Sequence, residues 1–415
     1  MYRTGRTKDR IGWTKTGSST NEPTKNIVVE TARGQTPYAS QSNSGKVFTL
    51  RIRAECMRVA FVCVETPHLA HSAQARRMRR TAELLAERGH EITVCCTRWW
   101  DGDHPTFEEN DVTYRAVTAR PSTERFAVAL PFALRRIAPD VIHAGGWPAA
   151  VAISAATAGR TLGRSPVVVD WFGDEPASGS GAGSSTLRRS AARLPHRVLV
   201  PSRHVETQVR SLGTNEGAIR VIPESIDMGL VQDRTAVGPA TIVTSRTLDE
   251  DANVETLLLA LAELRNRDWQ ATVIGDGPER FRYVRQARDL RIEDRVSFPG
   301  ALPLDERLSR YKAAHVFVQT AEWCPFASEL LWALACGCVG IVDYQAESAA
   351  HELVEHRERG FLTTSGEELT DAIKSAGSIP HAEVNEEFAE YDDGAVLEQY
   401  LACYREVLGD GESGA

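Results

Sequence analysis

Lysine almost disappears from this chain once its opening segment is passed. Lys8, Lys15, Lys25 and Lys46 fall within the first 56 residues, and only Lys312 and Lys374 follow. Residues 1–56 hold ten Lys+Arg against four Asp+Glu, whereas the remainder holds 38 against 52, within a net charge of −8. So acidic a body lacks the cationic surface that nucleic-acid binding requires, and it suits a high-salt cytoplasm. No apolar run approaches the roughly 20 residues of a spanning helix, and the opening residues lack the apolar core of a secretory signal. The eight cysteines follow no regular spacing and mostly sit in apolar runs, which excludes a disulfide-stapled fold and fits a reducing compartment. Cys324, Cys336 and Cys338 lack the further ligand that zinc spacing needs.

What remains is ordinary globular composition, 42% hydrophobic and 25% charged, over 415 residues, more than a single core usually covers. Residues 1–56 are rich in Ser, Thr and Gly without periodicity and are expected to be a disordered tail or a mis-assigned start, with Met57 as the natural beginning. From there strands alternate with amphipathic helices. Arg58–Val64 is strand-like. Ser72 caps a helix carrying Ala75, Met78, Ala82 and Leu85, and Glu91–Thr97 is the next strand. The alternation runs on to Ile219–Pro223, lapses around 228–240, and resumes at Ala240–Thr244. This pattern predicts an α/β protein with two parallel, doubly wound domains, 57–235 and 236–385, and a terminal helical segment, 386–415. Open parallel sheets bind ligands outside the carboxyl ends of their strands, so the cleft between the domains is the expected site.

A series of segments then gives a resemblance. Met57–Phe61, Arg88-Gly89-His90-Glu91, Pro139–His143, Val200-Pro201-Ser202, Ser245-Arg246, Ile274-Gly275-Asp276-Gly277-Pro278-Glu279, Phe298-Pro299-Gly300 and Ala333-Leu334-Ala335-Cys336-Gly337 occur in the order and spacing of the retaining glycosyltransferases of family 4. The chain resembles that family over about residues 57–410, with degenerate signature motifs. The resemblance implies two Rossmann-like domains facing a central cleft, the GT-B architecture. The first would take the acceptor and the second a nucleotide sugar, with the terminal helix crossing back to the first. It further implies sugar transfer to a glycan or lipid-linked acceptor with retention at the anomeric carbon, no metal ion and no cofactor beyond the donor. The expected location is cytoplasmic, extending to the inner face of the cell membrane.

Arg246, at the end of the first strand of the second domain, stands where the family holds the donor diphosphate. The family's lysine five positions on is Asp251 here, and its two glutamates fall at Cys324 and Trp332. Glu322 and Glu329 lie nearby and are candidates for the sugar and ribose contacts respectively. The amides of residues 327–329, preceded by Phe326 and including Ala327 and Ser328, open a helix and can face phosphates. Gly300 and Ala301 are expected to border the nucleobase. In the first domain, Phe172 replaces the family's histidine, flanked by Asp170 and Asp174 as candidate catalytic carboxylates. His68 and His71 stand where a glycine pair is usual. Ala177–Ser185 is a linker or lid, and Phe126–Leu134 with Arg135-Arg136 is a packed helix, or alternatively a peripheral membrane contact. Other readings from the same residues are a degenerate binding or scaffold protein, motivated by Asp251, Cys324, Trp332 and Phe172, and a nucleotide-sugar epimerase.

Overall fold

The computed structural model describes residues 56–70, 72–163, 165–173 and 182–412. The N-terminal tail (apart from Cys56), His71 and Asp174 lie outside these residues. Two Rossmann-like lobes face a central cleft. The first is built on β1 (Arg58–Val62), β2 (Glu91–Thr97), β3 (Thr106–Glu109), β4 (Val112–Thr118), β5 (Val141–Gly145), β6 (Val167–Asp170), β7 (Arg197–Val200) and β8 (Ile219–Val221). They form one sheet in the order β3-β4-β2-β1-β5-β6-β7-β8, parallel except for β3 against β4. The turn joining that antiparallel pair places Asn110 and Asp111 at φ of 51° and 60°, a left-handed conformation these two residue types tolerate.

Strand alternation sorts the sheet's two faces. Val59 and Phe61 join one core, with Ala75, Met78, Ala82 and Leu85 of α1 (Ala73–Glu87), while Ala60 and Val62 join the other. The second core is closed by α2 (Thr123–Ile137), α3 (Ala149–Ala158), α4 (Ala182–Arg193) and α5 (Arg203–Ser211). The last four residues of the expected 177–185 linker therefore open α4. On α2, Phe126, Leu130 and Leu134 point inward, whereas Val128 and Phe132 stay 72% and 69% exposed. Internal packing thus accounts for only one face of that helix.

After α6 (Met228–Asp233), the second lobe contains β9 (Ile242–Ser245), β10 (Ala271–Ile274), β11 (Val296–Gly300), β12 (Val316–Gln319), β13 (Trp323–Cys324), β14 (Val339–Asp343), β15 (Glu347–Ser348) and β16 (Gly360–Thr363). Six of these make a parallel sheet, β11-β10-β9-β12-β14-β16, and β13 pairs with β15 as a separate ribbon. One face is covered by α7 (Val254–Glu263), α8 (Arg280–Asp289) and α11 (Gly366–Ala376). The other is covered by α6, α9 (Leu304–Ala313) and α10 (Ser328–Ala335). Met228 and Val231 of α6 are buried with the second lobe's residues.

The last helix, α12 (Asp393–Glu412), returns to the first lobe. Val396, Leu397, Tyr400, Leu401, Tyr404 and Val407 are buried against α1 and β1 in the first core. The Tyr404 hydroxyl lies 2.6 Å from His143 Nδ1 on β5, so the crossing is pinned by a polar contact as well as apolar burial. Among the described residues, no helix is long and apolar enough to cross a membrane. Leu401→Ala should leave a cavity in a fully covered interface and lower unfolding stability by about 2–5 kcal/mol, to be read from urea denaturation of the full chain.

Candidate active site

The carboxyl ends of the strands of both lobes border a cleft of about 910 Å³. Its first-lobe wall carries Arg76, Arg77 and Arg80 from α1 together with Glu224. Its second-lobe wall carries Arg246, Asp249 and Asp251, the turn at Gly275-Asp276, and the 323–330 segment. Arg246 follows β9 directly and its side chain is only 16% exposed. Its Nε donates to the Thr247 carbonyl at 3.1 Å, and its Nη2 lies 3.2 Å from Asp249 Oδ1. Gly275, at φ of 135°, lets the next strand's turn close onto this residue, because a Cβ there would stand 1.8 Å from the Arg246 carbonyl oxygen.

Glu329 lies in the first turn of α10 and also borders the cleft. Its Oε2 accepts from the Tyr311 hydroxyl at 2.6 Å and lies 3.0 Å from Arg307 Nε. Burial, reinforced by the neighbouring Glu329 carboxylate, pushes the Tyr311 phenol well above its ordinary range, so at neutral pH it remains a donor. Neither Arg307 nor Tyr311 was singled out from the sequence. The signal available was their spacing of four on one helix, which places both side chains on the same face.

Phe326, Ala327 and Ser328 border the cleft as expected. The Ser328 N–H, however, donates to the Phe326 carbonyl at 3.2 Å, so this one of the three amides is already engaged by the turn. The Ser328 hydroxyl donates instead to Glu224 of the first lobe. Ala301 reaches the cleft and Gly300 does not: the Gly300 carbonyl accepts the Gly275 N–H at 2.9 Å. At the two departures from the family's glutamates, Cys324 and Trp332 both border the cleft. Burial pushes the Cys324 thiol up to about 11, which keeps it protonated, and it accepts from Gln319 Nε2 at 3.7 Å.

Three expected residues are placed elsewhere. Glu322 is exposed and off the cleft, since its N–H donates to the Asp251 carbonyl at 2.9 Å and the chain turns Trp323 and Cys324 inward in its stead. Asp170, at the end of β6, is fully buried: Arg77 Nε reaches its two oxygens at 3.1 and 2.8 Å, and His143 Nε2 lies 3.6 Å away. A carboxylate so enclosed cannot meet an acceptor hydroxyl. His68 stacks on Trp99 with centroids 3.7 Å apart and sits 3.1 Å from Glu109, away from the cleft. Phe172 borders the cleft and packs in the second lobe's core together with Phe326, so the family's histidine position here serves apolar contact between lobes.

Arginines and carboxylates alternate around the cleft. Arg80 pairs with Asp393, Arg246 with Asp249, and Arg307 with Glu329, while Asp227, Asp251 and Asp276 add negative charge. Any anion that reaches Arg246 must therefore compete with Asp249, and the other acidic groups oppose it by an amount on the order of 1 kcal/mol each at partly screened distances. Among the described residues no group of three or more His, Cys, Asp or Glu side chains is placed to hold a metal ion.

Comparison with known proteins agrees with this fold. Residues 72–224 match the family model described as a glycosyl transferase 4-like domain, and residues 232–393 match that described as glycosyl transferases group 1. The chain belongs to the group 1 glycosyltransferases of GT-B fold. N-acetyl-alpha-D-glucosaminyl L-malate synthase of Bacillus anthracis is 25% identical over 173 residues, 39% of this chain, which thus spans less than half, 44%, of that relative. Sucrose-phosphate synthase from Thermosynechococcus elongatus superposes with a TM-score of 0.69 at 18% identity, covering 85% of this chain and all of its own. HepE from Anabaena, solved in complex with UDP, gives 0.67 at 17% identity, with 84% and 100% covered.

Burial alone would raise the Asp170 carboxyl, but Arg77 and His143 outweigh it and hold the group below its ordinary value. The pair's contribution to stability is accordingly present above the unfolded carboxyl's value and is lost as pH falls through the lower folded one. Asp170→Ala, which strands the Arg77 guanidinium, should cost about 3–5 kcal/mol near neutral pH. In urea melts across pH, the gap between wild type and variant should narrow below about pH 4.

Proposed function

We propose that this protein moves a sugar from a nucleotide-sugar donor to a glycan or lipid-linked acceptor, with retention at the anomeric carbon and without a metal ion. The observation that carries this reading is Arg246, which stands at the carboxyl end of β9 inside the interlobe cleft with its guanidinium held by the Thr247 carbonyl and Asp249. In this reading Arg246 neutralises the leaving diphosphate. Glu329, fixed by Arg307 and Tyr311, accepts from the ribose hydroxyls through its remaining oxygen. Phe326, Ala327 and Ser328 frame the phosphates from the start of α10, and Ala301 borders the base. That HepE is solved with UDP and with UDP-glucose supports a nucleotide-sugar donor for a cleft of this shape. The rival reading, a binding protein without transfer, is favoured by Asp251, Cys324 and Trp332, which remove a cation and two carboxylates from the family's pattern.

Calorimetric titration with UDP, GDP and ADP separates the two. One of them should bind to wild type, Arg246→Ala should weaken that binding by at least about 100-fold, the scale of a charge-assisted contact, and EDTA should leave the affinity unchanged. Binding without release of sugar from the matching nucleotide sugar would favour the non-transferring reading.

We further propose that the α2 to α4 layer rests on an anionic bilayer at the inner face of the cell membrane. Val128 and Phe132 are flanked by exposed Arg125, Arg135 and Arg136. Beyond α3, Leu187 of α4 is 46% exposed, on a helix that also exposes Arg189 and Arg193. Arginines gathered around outward apolar side chains, in a body otherwise strongly acidic, match phosphate headgroups over acyl chains. The protein should co-float with phosphatidylglycerol vesicles and not with phosphatidylcholine alone. The double variant Phe132→Ser/Arg136→Glu should remain behind, and its co-flotation with the anionic vesicles would count against the contact.

A further inference from the structure

Helix α5 of the first lobe begins against the second lobe. The backbone N–H groups of Arg203 and His204 donate to the two carboxylate oxygens of Glu352, at 3.0 and 2.8 Å. Glu352 belongs to the short 3-10 turn Ala350–Leu353. The Arg203 side chain adds a 3.4 Å contact to Glu352 and reaches Glu355 at 2.7 Å. A carboxylate from one lobe thus occupies the amino end of a helix in the other, where first-turn amides lack intrahelical acceptors and the helix dipole favours negative charge. Ser202, the residue that caps α5, acts in both directions. Its oxygen accepts the Val205 N–H at 3.3 Å within the helix, and its hydroxyl donates across the lobes to the Pro325 carbonyl at 2.8 Å.

Pro325 opens the stretch that brings Phe326, Ala327 and Ser328 to the cleft. The same stretch is joined to Glu352 through the two-stranded ribbon, in which Trp323 and Cys324 pair with Glu347 and Ser348, and the Ala349 N–H donates to the Cys324 carbonyl at 2.7 Å. Its far end is held from the first lobe as well, by Glu224 against the Ser328 hydroxyl. The first lobe therefore grips this loop at both ends. Gly173 permits the approach: it adopts φ of 91°, and a Cβ there would come within 3.3 Å of Pro325 Cβ.

We propose that Glu352 and Ser202 form a latch that positions the donor loop, so that closure of the lobes and donor affinity are one equilibrium. Both are positioning residues, since neither borders the cleft. The part concerning donor affinity rests on the function proposed above, whereas the cross-lobe contact does not. A ligand that needs the latched arrangement binds more weakly in proportion to the molecules that have left it.

The test uses the full chain as wild type, Glu352→Ala, Glu352→Gln and Ser202→Asp. The last keeps an oxygen to cap α5 but cannot donate to Pro325. Small-angle X-ray scattering without nucleotide should show a larger radius of gyration for Glu352→Ala and Ser202→Asp, with thermal midpoints little changed. Titration with UDP, GDP and ADP should show the affinity of whichever binds falling by about ten-fold in both. Glu352→Gln, which retains an acceptor oxygen without the charge, should lie between. Scattering unchanged in both variants overturns the latch, and a larger radius with unchanged affinity overturns its coupling to the loop. If wild type binds no nucleotide, the transferase reading fails, and the scattering still decides whether the latch exists.

Discussion

The buried pair between Arg77 and Asp170 is the contact on which the rest of the structure is arranged. It joins α1 to the end of β6. Through Arg77 Nη2 it also holds the Ile222 carbonyl, at 2.7 Å, where the chain leaves the first sheet for the second lobe. Tyr400 of the returning helix lies under the same guanidinium, 5.6 Å from ring centroid to Cζ. Four separate pieces of chain thus meet at one charge pair whose side chains are almost wholly buried behind the cleft wall. Isolated charges are costly to bury, and removing either partner leaves the other uncompensated, so the pair fixes how these pieces register even if it adds little net stability.

The cleft follows a related rule of matched charge, with a different consequence. Arg246, Arg80 and Arg307 each rest against a carboxylate of the protein, so the site presents no large unbalanced positive field. Anionic ligands must compete with those carboxylates, which favours a ligand able to satisfy several contacts at once over a simple anion.

The fold was legible because its signals are local and repeated. Strand-like runs, amphipathic helices and the Gly275-Asp276-Gly277-Pro278 turn follow one another in a fixed order, and the return of the last helix was implied by the family resemblance alone. The β3–β4 hairpin was missed because its strands are short and partly exposed, although Asn110-Asp111 signalled its turn. The last βα unit, β16 with α11, was missed as well. The site was legible only in part. Arg246 and Glu329 could be placed from position relative to a strand and a helix. Asp170 looked like a cleft carboxylate because nothing in its own neighbourhood reveals Arg77, 93 positions earlier. Glu322 misled for another reason: the inward turn of Trp323 and Cys324 depends on pairing with Glu347 and Ser348, again distant in sequence. Arg307 and Tyr311 were overlooked because a charged residue and an aromatic one on a helix look like ordinary surface and core until a partner is seen.

The returning helix also bears on how the molecule is made. The core beneath α1 is completed by Val396, Leu397, Tyr400, Leu401, Tyr404 and Val407, which are synthesised only after the whole second lobe. During translation the first lobe emerges with α1 available to cover that face of its sheet, but with the part of the core that the final helix completes still exposed. It must wait, exposed to the hazards that unpaired hydrophobic surface brings, until the final helix leaves the ribosome.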